Sequence, residues 1–211
     1  MALPALVSRR GLWLLGALAA VLLVTGTWLV GEWSRERALA ELEDRGQREL
    51  ELYVSHLNGQ LDRFAYLPAL LSGDERIQAL LARPDDEQHV SQVNHFLSYV
   101  NRIAGSLDVY LMDAGGLTLA ASNWQQANTF VGHNFSFRPY FTEAMQGGPG
   151  RYFALGTTSQ RRGYYFSYPV EQGGRPLGVV VVKLSIATLE QDWQSRRSVV
   201  LVTDPDGVIF V

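Results

Sequence analysis

The longest uninterrupted apolar run lies near the start of the chain. Residues 11–30 carry no charged side chain, and twenty residues of helix are long enough to cross the hydrocarbon core of a bilayer. Arg9 and Arg10 precede this run, so the positive-inside rule places residues 1–10 in the cytoplasm. A cleaved signal peptide is the alternative, but the run continues well past the small residues Ala17 and Ala19. We therefore predict one transmembrane helix at 11–30, with the remainder outside the cytoplasm.

Helical periodicity dominates the next segment, residues 31–106. Apolar residues recur there at spacings of three and four, which predicts one long amphipathic helix from Arg35 to about Leu71. A second helix is predicted from Gln88 to Ile103, after the breaker segment 83–86. The charged first half of the long helix fits either an ordinary packing helix or a stalk that pairs two copies. We expect a helical stalk with packing helices, and a homodimer.

Strand signals begin at Leu107 and define a domain over 107–187. Short β-rich runs are separated by turn residues, and a polar loop and a short helix over 138–145 lie between the second and third runs. The predicted strands are residues 109–112, 117–120, 151–157, 163–170 and 177–186. Five strands preceded by long helices predict an α+β fold with an antiparallel sheet.

A second copy of this pattern begins near the end of the chain. Residues 201–210 repeat the strand, Asp-x-x-Gly turn and strand seen around Asp113 to Gly116. Repetition at this distance predicts a linker helix at 188–197 and the start of another domain of the same type at 198–211. The chain is therefore expected to stop inside that second domain.

Basic residues are concentrated in one part of an acidic chain. The 211 residues have a formal net charge of −3 and no cysteine, which excludes disulfide and thiol chemistry. Between Asn134 and Lys183, however, six basic residues face two acids, Glu143 and Glu171. The six are Arg138, Arg151, Arg161, Arg162, Arg175 and Lys183. This pattern predicts a pocket that holds a small anion, and we expect no nucleic-acid partner.

Motifs for other chemistry do not appear in the sequence. The four histidines show no metal-ligand pairing, and the run Gly178–Lys183 lacks the second glycine and the hydroxyl residue of a phosphate-binding loop. No Ser, His and acid set or carboxylate pair groups as in a hydrolase. We predict no catalytic residue, no metal site and no cofactor within these residues.

The final predicted strand of the sheet places one cation among valines. Alternation puts Val180, Val182, Leu184 and Ile186 on one face and Val179, Val181, Lys183 and Ser185 on the other. The ammonium group of Lys183 must reach either water or an anionic partner, because an unpaired buried charge is costly. Arg138, beside Ser136 at a predicted helix start, is either a carboxylate clamp or an ordinary surface arginine.

Several motifs together resemble a known family. The segment Phe135–Phe141 carries an arginine-proline-aromatic motif, and Gly150–Thr158 carries a Leu-Gly-Thr-Thr motif. With Arg162–Val170 and Gly178–Lys183, these segments resemble the periplasmic sensor of the C4-dicarboxylate transport sensor kinases. The resemblance implies a double PAS-like (Cache) sensor whose membrane-distal copy, at 107–187, binds succinate, fumarate or malate.

The resemblance also implies a set of site residues. Arg138 and Lys183 would be the carboxylate partners, with Thr157, Ser136, Thr158 and Ser167 as hydroxyl or backbone contributors. Phe135 stands where the family often has tyrosine, which removes one donor. Two separated cations suit a diacid, because each one can meet one carboxylate.

An amino-acid ligand would need an acid near its ammonium group. Glu143 and Glu171 are the acids between Asn134 and Ser185, and Asp108 and Asp113 are further candidates. Two alternatives stay open besides the dicarboxylate sensor. One is a Cache sensor of a chemoreceptor or cyclic-nucleotide enzyme for another small organic anion. The other is a dimerisation module without a ligand.

The resemblance extends to the intact protein. It implies an inner-membrane sensor histidine kinase that uses ATP and Mg²⁺ in a part outside these residues. A response regulator and a dicarboxylate transporter would be its partners.

Overall fold

The computed structural model describes residues 9–158, 160–187, 201–203 and 207. The chain divides into two compact units, which meet in sequence between His56 and Leu57 and are described separately. The predicted linker helix at 188–197 lies outside the described residues. The predicted start of a second domain at 198–211 also lies outside them, apart from 201–203 and 207.

The first unit is helical throughout its described part. Helix α1 (Arg9–Ala65) begins there. In the described residues this helix alone is long and apolar enough to cross a membrane, with a mean hydropathy of 1.4 in its apolar window. The hydroxyls of Thr25 and Thr27 donate to the carbonyls of Val21 and Leu23, at 2.8 and 2.9 Å. These bonds satisfy the two polar side chains within the apolar run, as a lipid environment requires.

Three further helices follow the end of α1 in the second unit: α2 (Leu67–Ser72), α3 (Glu75–Ala82) and α4 (Glu87–Ala104). The prediction of one unbroken helix to Leu71 is wrong, because the chain turns at Tyr66. Pro68 explains the break, since proline has no N–H and its ring clashes with the carbonyl four residues earlier. Helix α3, whose start is capped by the carboxylate of Asp74, was not predicted.

The sheet has five antiparallel strands, as predicted. They are β1 (Asp108–Asp113), β2 (Thr118–Ala121), β3 (Gly150–Leu155), β4 (Arg162–Gln172) and β5 (Arg175–Ser185). Helix α5 (Pro139–Met145) lies between β2 and β3 in the chain. The spatial order is β2-β1-β5-β4-β3, so β5 is central and pairs with both β1 and β4.

The two faces of the sheet pack against different parts of the chain. On the helix face, Val180, Val182 and Leu184 of β5 join an apolar cluster with α2, α3 and α4. On the α5 face, Val179 and Val181 pack with α5 and with the 123–136 loop. The helical members of the helix-face cluster include Leu67, Leu71, Ile77, Leu80, Val93 and Leu97. The predicted alternation of β5 is therefore confirmed.

Candidate ligand-binding site

Lys183 lies on the α5 face, near the end of the central strand β5. It stands opposite Asp108 of β1 and Tyr165 of β4 in the strand register, and its side chain is 0% exposed. Its Nζ atom is 5.5 Å from the ring centroid of Tyr165 and 5.6 Å from that of Phe130. Both distances allow a cation–π attraction, which partly offsets the loss of water around the ammonium group. Of the two positions considered for Lys183, the structure shows the buried one.

Gly163 makes room for the lysine stem. A Cβ atom at Gly163 would lie 2.6 Å from Cε and 3.1 Å from Cγ of Lys183. These distances show that the aliphatic stem runs directly over the β4 backbone. Only a residue without a side chain permits such an approach. The β4 glycine therefore helps to determine where the ammonium group lies.

Arg138 reaches the same end of the sheet from α5. It is the N-cap residue of α5, and its extended backbone precedes Pro139 in the first turn. Its half-buried guanidinium donates through Nη2 to the carbonyl of Leu155, at 3.2 Å, and lies 3.5 Å from Oγ1 of Thr157. Leu155 ends β3 and pairs with the first residue of β4, next to Gly163. Arg138 and Lys183 thus approach one region from two separate elements.

Burial and neighbouring charges shift the pKa values of Lys183 and Asp108. Burial lowers the pKa of Lys183 to about 8, the Asp108 carboxylate opposes this shift, and the charges of Arg161 and Arg138 add to it. Burial raises the pKa of Asp108 to about 6, against the effect of Lys183 and Arg161. Arg138, Arg161 and Lys183 therefore act on one region together with Asp108. An anionic ligand in this region would interact favourably with the cations.

Tyrosines supply neutral hydroxyl groups beside the cations. The hydroxyls of Tyr110 and Tyr140 are 2.8 Å apart, and the Tyr140 ring stacks on Tyr165 with 5.0 Å between centroids. Burial raises the pKa of Tyr140 to about 12 and raises the pKa of Tyr165 as well. These tyrosines are therefore uncharged at physiological pH and add no negative charge to the site.

Three of the residues implied by the resemblance lie around these groups. Phe135 is buried and its ring packs against Tyr110 and Phe130, at 6.0 and 5.9 Å between centroids. Thr157 is next to Arg138, and Thr158 follows it, half-buried, in the β3–β4 loop. Phe135 therefore forms part of an aromatic wall, and the threonines lie on the Arg138 side.

Two other implied residues are committed to different contacts. The hydroxyl of Ser167 is buried and donates to the carbonyl of Tyr140, at 2.6 Å, beneath α5. Ser136 lies so close over Gly116 that a Cβ atom on the glycine would be 2.6 Å from the serine backbone nitrogen. That turn and Lys183 are at opposite ends of β1, about 17 Å apart along the strand. The structure does not bring these two hydroxyls to the Lys183 ammonium group.

The structure adds Asp108, Tyr110 and Phe130 to the site. The sequence predicts Asp108 only as a candidate partner for a ligand ammonium group, and no pattern in it indicates Tyr110 or Phe130. Their link to Lys183 depends on the pairing of β1 with β5 and on the position of the 123–136 loop. No motif in the sequence reports either feature. Among the described residues, no group of three His, Asp or Glu side chains is placed to hold a metal ion.

Comparison with known proteins shows which proteins the chain is similar to. The chain is 38% identical over 192 residues to the C4-dicarboxylate transport sensor protein DctB of Pseudomonas aeruginosa, covering 91% of the chain and 31% of that protein. It is 36% identical over 204 residues to the protein of the same name from Rhizobium meliloti, covering 97% of the chain and 33% of that protein. Over most of its length the chain is therefore similar to the DctB sensor proteins. It spans about a third of the length of these curated relatives.

A solved DctB structure shows which type of domain this is. The sensor domain of the V. cholerae histidine kinase DctB matches with a TM-score of 0.71 and 39% identity, over 74% of this chain and 60% of that one. The E. coli DcuS sensor domain, at 16% identity and a TM-score of 0.54, covers 65% of this chain and 96% of that one, and shows the shared fold alone. The DctB and DcuS matches confirm the PAS-like (Cache) sensor fold. No protein-family model matches the chain.

Proposed function

We propose that this chain is the extracytoplasmic sensor region of an inner-membrane histidine kinase that binds C4-dicarboxylates such as succinate, fumarate and malate. Its DctB relatives are named for C4-dicarboxylate transport. The observation that carries the proposal is the buried ammonium of Lys183, which shares one region with the Arg138 guanidinium. In this arrangement each cation meets one carboxylate of the diacid.

The separation of the cations determines which ligands are accepted. Arg138 and Lys183 come from different elements and act on one region, so two carboxylates suit them better than one. The aromatic rings of Phe130 and Tyr165 exclude water around the ammonium group, which strengthens its attraction to a carboxylate. A four-carbon diacid is therefore preferred over a monocarboxylate of equal length.

Signal transmission follows from the elements that the ligand contacts. Phe130 and Phe135 belong to the 123–136 loop, so a ligand beside Lys183 stabilises the closed position of that loop against the sheet. A ligand at a hundred times its Kd contributes about 2.7 kcal/mol, enough to change the balance of two states that differ in affinity. We propose that α1, continuous from Arg9 to Ala65, carries the shift towards the membrane.

The remaining partners are proposed from the family. The intact kinase would act as a homodimer, phosphorylate a response regulator with ATP and Mg²⁺ bound in another part of the protein, and control dicarboxylate uptake by a transporter. Phosphorylation of the regulator in membranes, with and without succinate, tests this part of the proposal.

Calorimetric titration of the whole chain in detergent micelles tests the site. Succinate, fumarate and malate are compared with butyrate, which has the same carbon count and one carboxylate, and with L-aspartate. We expect binding of the three diacids, and a loss of about 10- to 100-fold for Arg138→Gln or Lys183→Met, because each removes a charged hydrogen-bond donor. Arg175→Gln is the matched control, since Arg175 lies in the β4–β5 turn at the other end of the sheet. Unchanged affinity in both site variants would refute the assignment.

A further inference from the structure

We propose that Asp108 is a positioning residue that keeps the Lys183 ammonium group charged and in place while the site is empty. Asp108 acts through Lys183, so its role rests on the proposed dicarboxylate site. It is the first residue of β1 and stands directly opposite Lys183 in the β1–β5 register, with its side chain on the same face. It is 8% exposed. A carboxylate with so little access to water needs a positive partner.

Lys183 is subject to the same cost of burial. Burial favours the neutral amine, and repulsion from Arg161 and Arg138 adds to this effect. The Asp108 carboxylate acts in the opposite direction and favours the ammonium form. Tyr165 on β4 and Tyr110 on β1 also face this region, but both are neutral because their pKa values are raised.

The pair is charged over a limited pH range. The pKa of Asp108 is about 6 and that of Lys183 about 8, so both groups are charged only between these values. Above this range the lysine loses its proton and the site loses a cation. Without Asp108, the neutral amine would prevail at a lower pH, and a dicarboxylate would have to bind together with a proton.

If Asp108 instead bound the ammonium group of a ligand, the order of affinities for succinate and L-aspartate would be reversed. If its carboxylate met the ammonium group of an amino-acid ligand, L-aspartate would bind the wild-type chain more tightly than succinate does. Asp108→Asn would then remove this preference. In the arrangement proposed here the Lys183 ammonium takes that place, so succinate binds more tightly than L-aspartate in both proteins.

The composition of the chain allows a direct measurement. Lys183 is the only lysine among the 211 residues, so ¹³C-labelled lysine gives a single side-chain NMR signal. The signal is followed against pH in the ligand-free chain, in detergent micelles, for the wild type and for Asp108→Asn. We expect the midpoint to fall by about one pH unit or more in the variant, the usual effect of losing an adjacent opposite charge. Asp113→Asn, at the other end of β1, is the matched control and leaves the midpoint unchanged.

Succinate affinity against pH provides the functional readout. In the wild type the affinity declines above about pH 8, and in Asp108→Asn the decline begins about one unit lower. The variant at pH 8 therefore binds succinate about tenfold more weakly than at pH 6.5. A wild type that never binds succinate would refute the proposed function. A wild type that binds it, with the same Lys183 midpoint in Asp108→Asn, would refute only the role of Asp108.

Discussion

Both faces of β5 carry buried residues, but the two faces are stabilised in different ways. Val180 and Val182 on the helix face belong to an apolar cluster with the adjoining strands and helices. On the α5 face, Lys183 follows Val179 and Val181 in the alternating pattern and is equally buried. The helix face thus contributes stability through the burial of apolar area. The α5 face gives up part of that stability to hold a buried cation.

A lysine placed on the helix face is expected to have the largest effect on stability. Val182 is 0% exposed and lies between Val109 and Phe166 in the register. We expect Val182→Lys to lose about 4 kcal/mol or more, since the ammonium group would be buried among the apolar side chains of that face. Urea unfolding followed by circular dichroism measures the loss. Val182→Met has a similar side-chain length without the charge, and equal unfolding midpoints for both variants would contradict the distinction between the faces.

Two strand glycines sharpen the comparison. A Cβ atom at Gly178, on the helix face, would lie 2.3 Å from the carbonyl oxygen of Met112 and 2.7 Å from the Leu81 side chain. We expect Gly178→Ala to lose about 2–4 kcal/mol, because backbone atoms must move. At Gly163 the nearest atom is Cε of the flexible Lys183 side chain.

Gly163→Ala should therefore affect binding more than stability. We expect a change in the free energy of unfolding of about 1 kcal/mol and a loss of about tenfold in succinate affinity, because the ammonium group is displaced. Thermal unfolding and calorimetry on both glycine variants separate the two effects. Equal losses of stability at Gly178 and Gly163 would show that the lysine stem is not free to adjust.

Removing both buried charged side chains, Lys183 and Asp108, tests how much stability the α5 face loses by holding them. The double variant Lys183→Met with Asp108→Asn should be about 2 kcal/mol more stable than the wild type at pH 7, because two desolvated charges are replaced. Above pH 8 the wild type gains stability, since the unfolded lysine, with a pKa of 10.5, binds more protons than the folded one.

Below pH 6, the titration of Asp108 determines how the stability of the fold changes with pH. Asp108 has a pKa of about 6 in the folded state against 3.8 in the unfolded state, so the folded state binds more protons between these values. The wild type therefore gains stability as the pH falls below 6. The difference between the two proteins should be widest between pH 6 and 8, which thermal unfolding across the range will check. A difference that does not vary with pH would mean that the pair costs nothing.

The smallest effect is expected at Thr118, which lies opposite Met112 in the register. Its side chain is 1% exposed, and its hydroxyl has no hydrogen-bond partner among the described residues. Thr118→Val keeps the shape and removes the unsatisfied hydroxyl, so stability should rise by about 1 kcal/mol. Succinate affinity should stay the same, which distinguishes a polar group beside the site from one within it. A loss of affinity would place Thr118 within the site.

Local patterns predicted most of the elements. The alternation of β5, the hairpin around Asp113 and the proline at the start of α5 each depend on neighbouring residues, and each matches the structure. The exceptions are the break at Tyr66 and helix α3. Pro68 indicates a break, but the apolar periodicity continues across it. Periodicity therefore predicted an unbroken helix.

The sequence by itself determined the α+β class, the face on which Lys183 lies, and the resemblance to the C4-dicarboxylate sensor kinases, because periodicity and motifs are properties of neighbouring residues. Only the tertiary structure decided that Asp108 stands opposite Lys183, that Phe130 lies 5.6 Å from its Nζ atom, and that the hydroxyl of Ser167 bonds to Tyr140. Strand register and loop position arise from contacts between residues far apart in the chain. The energy of a buried charge depends on those contacts, which no local pattern records.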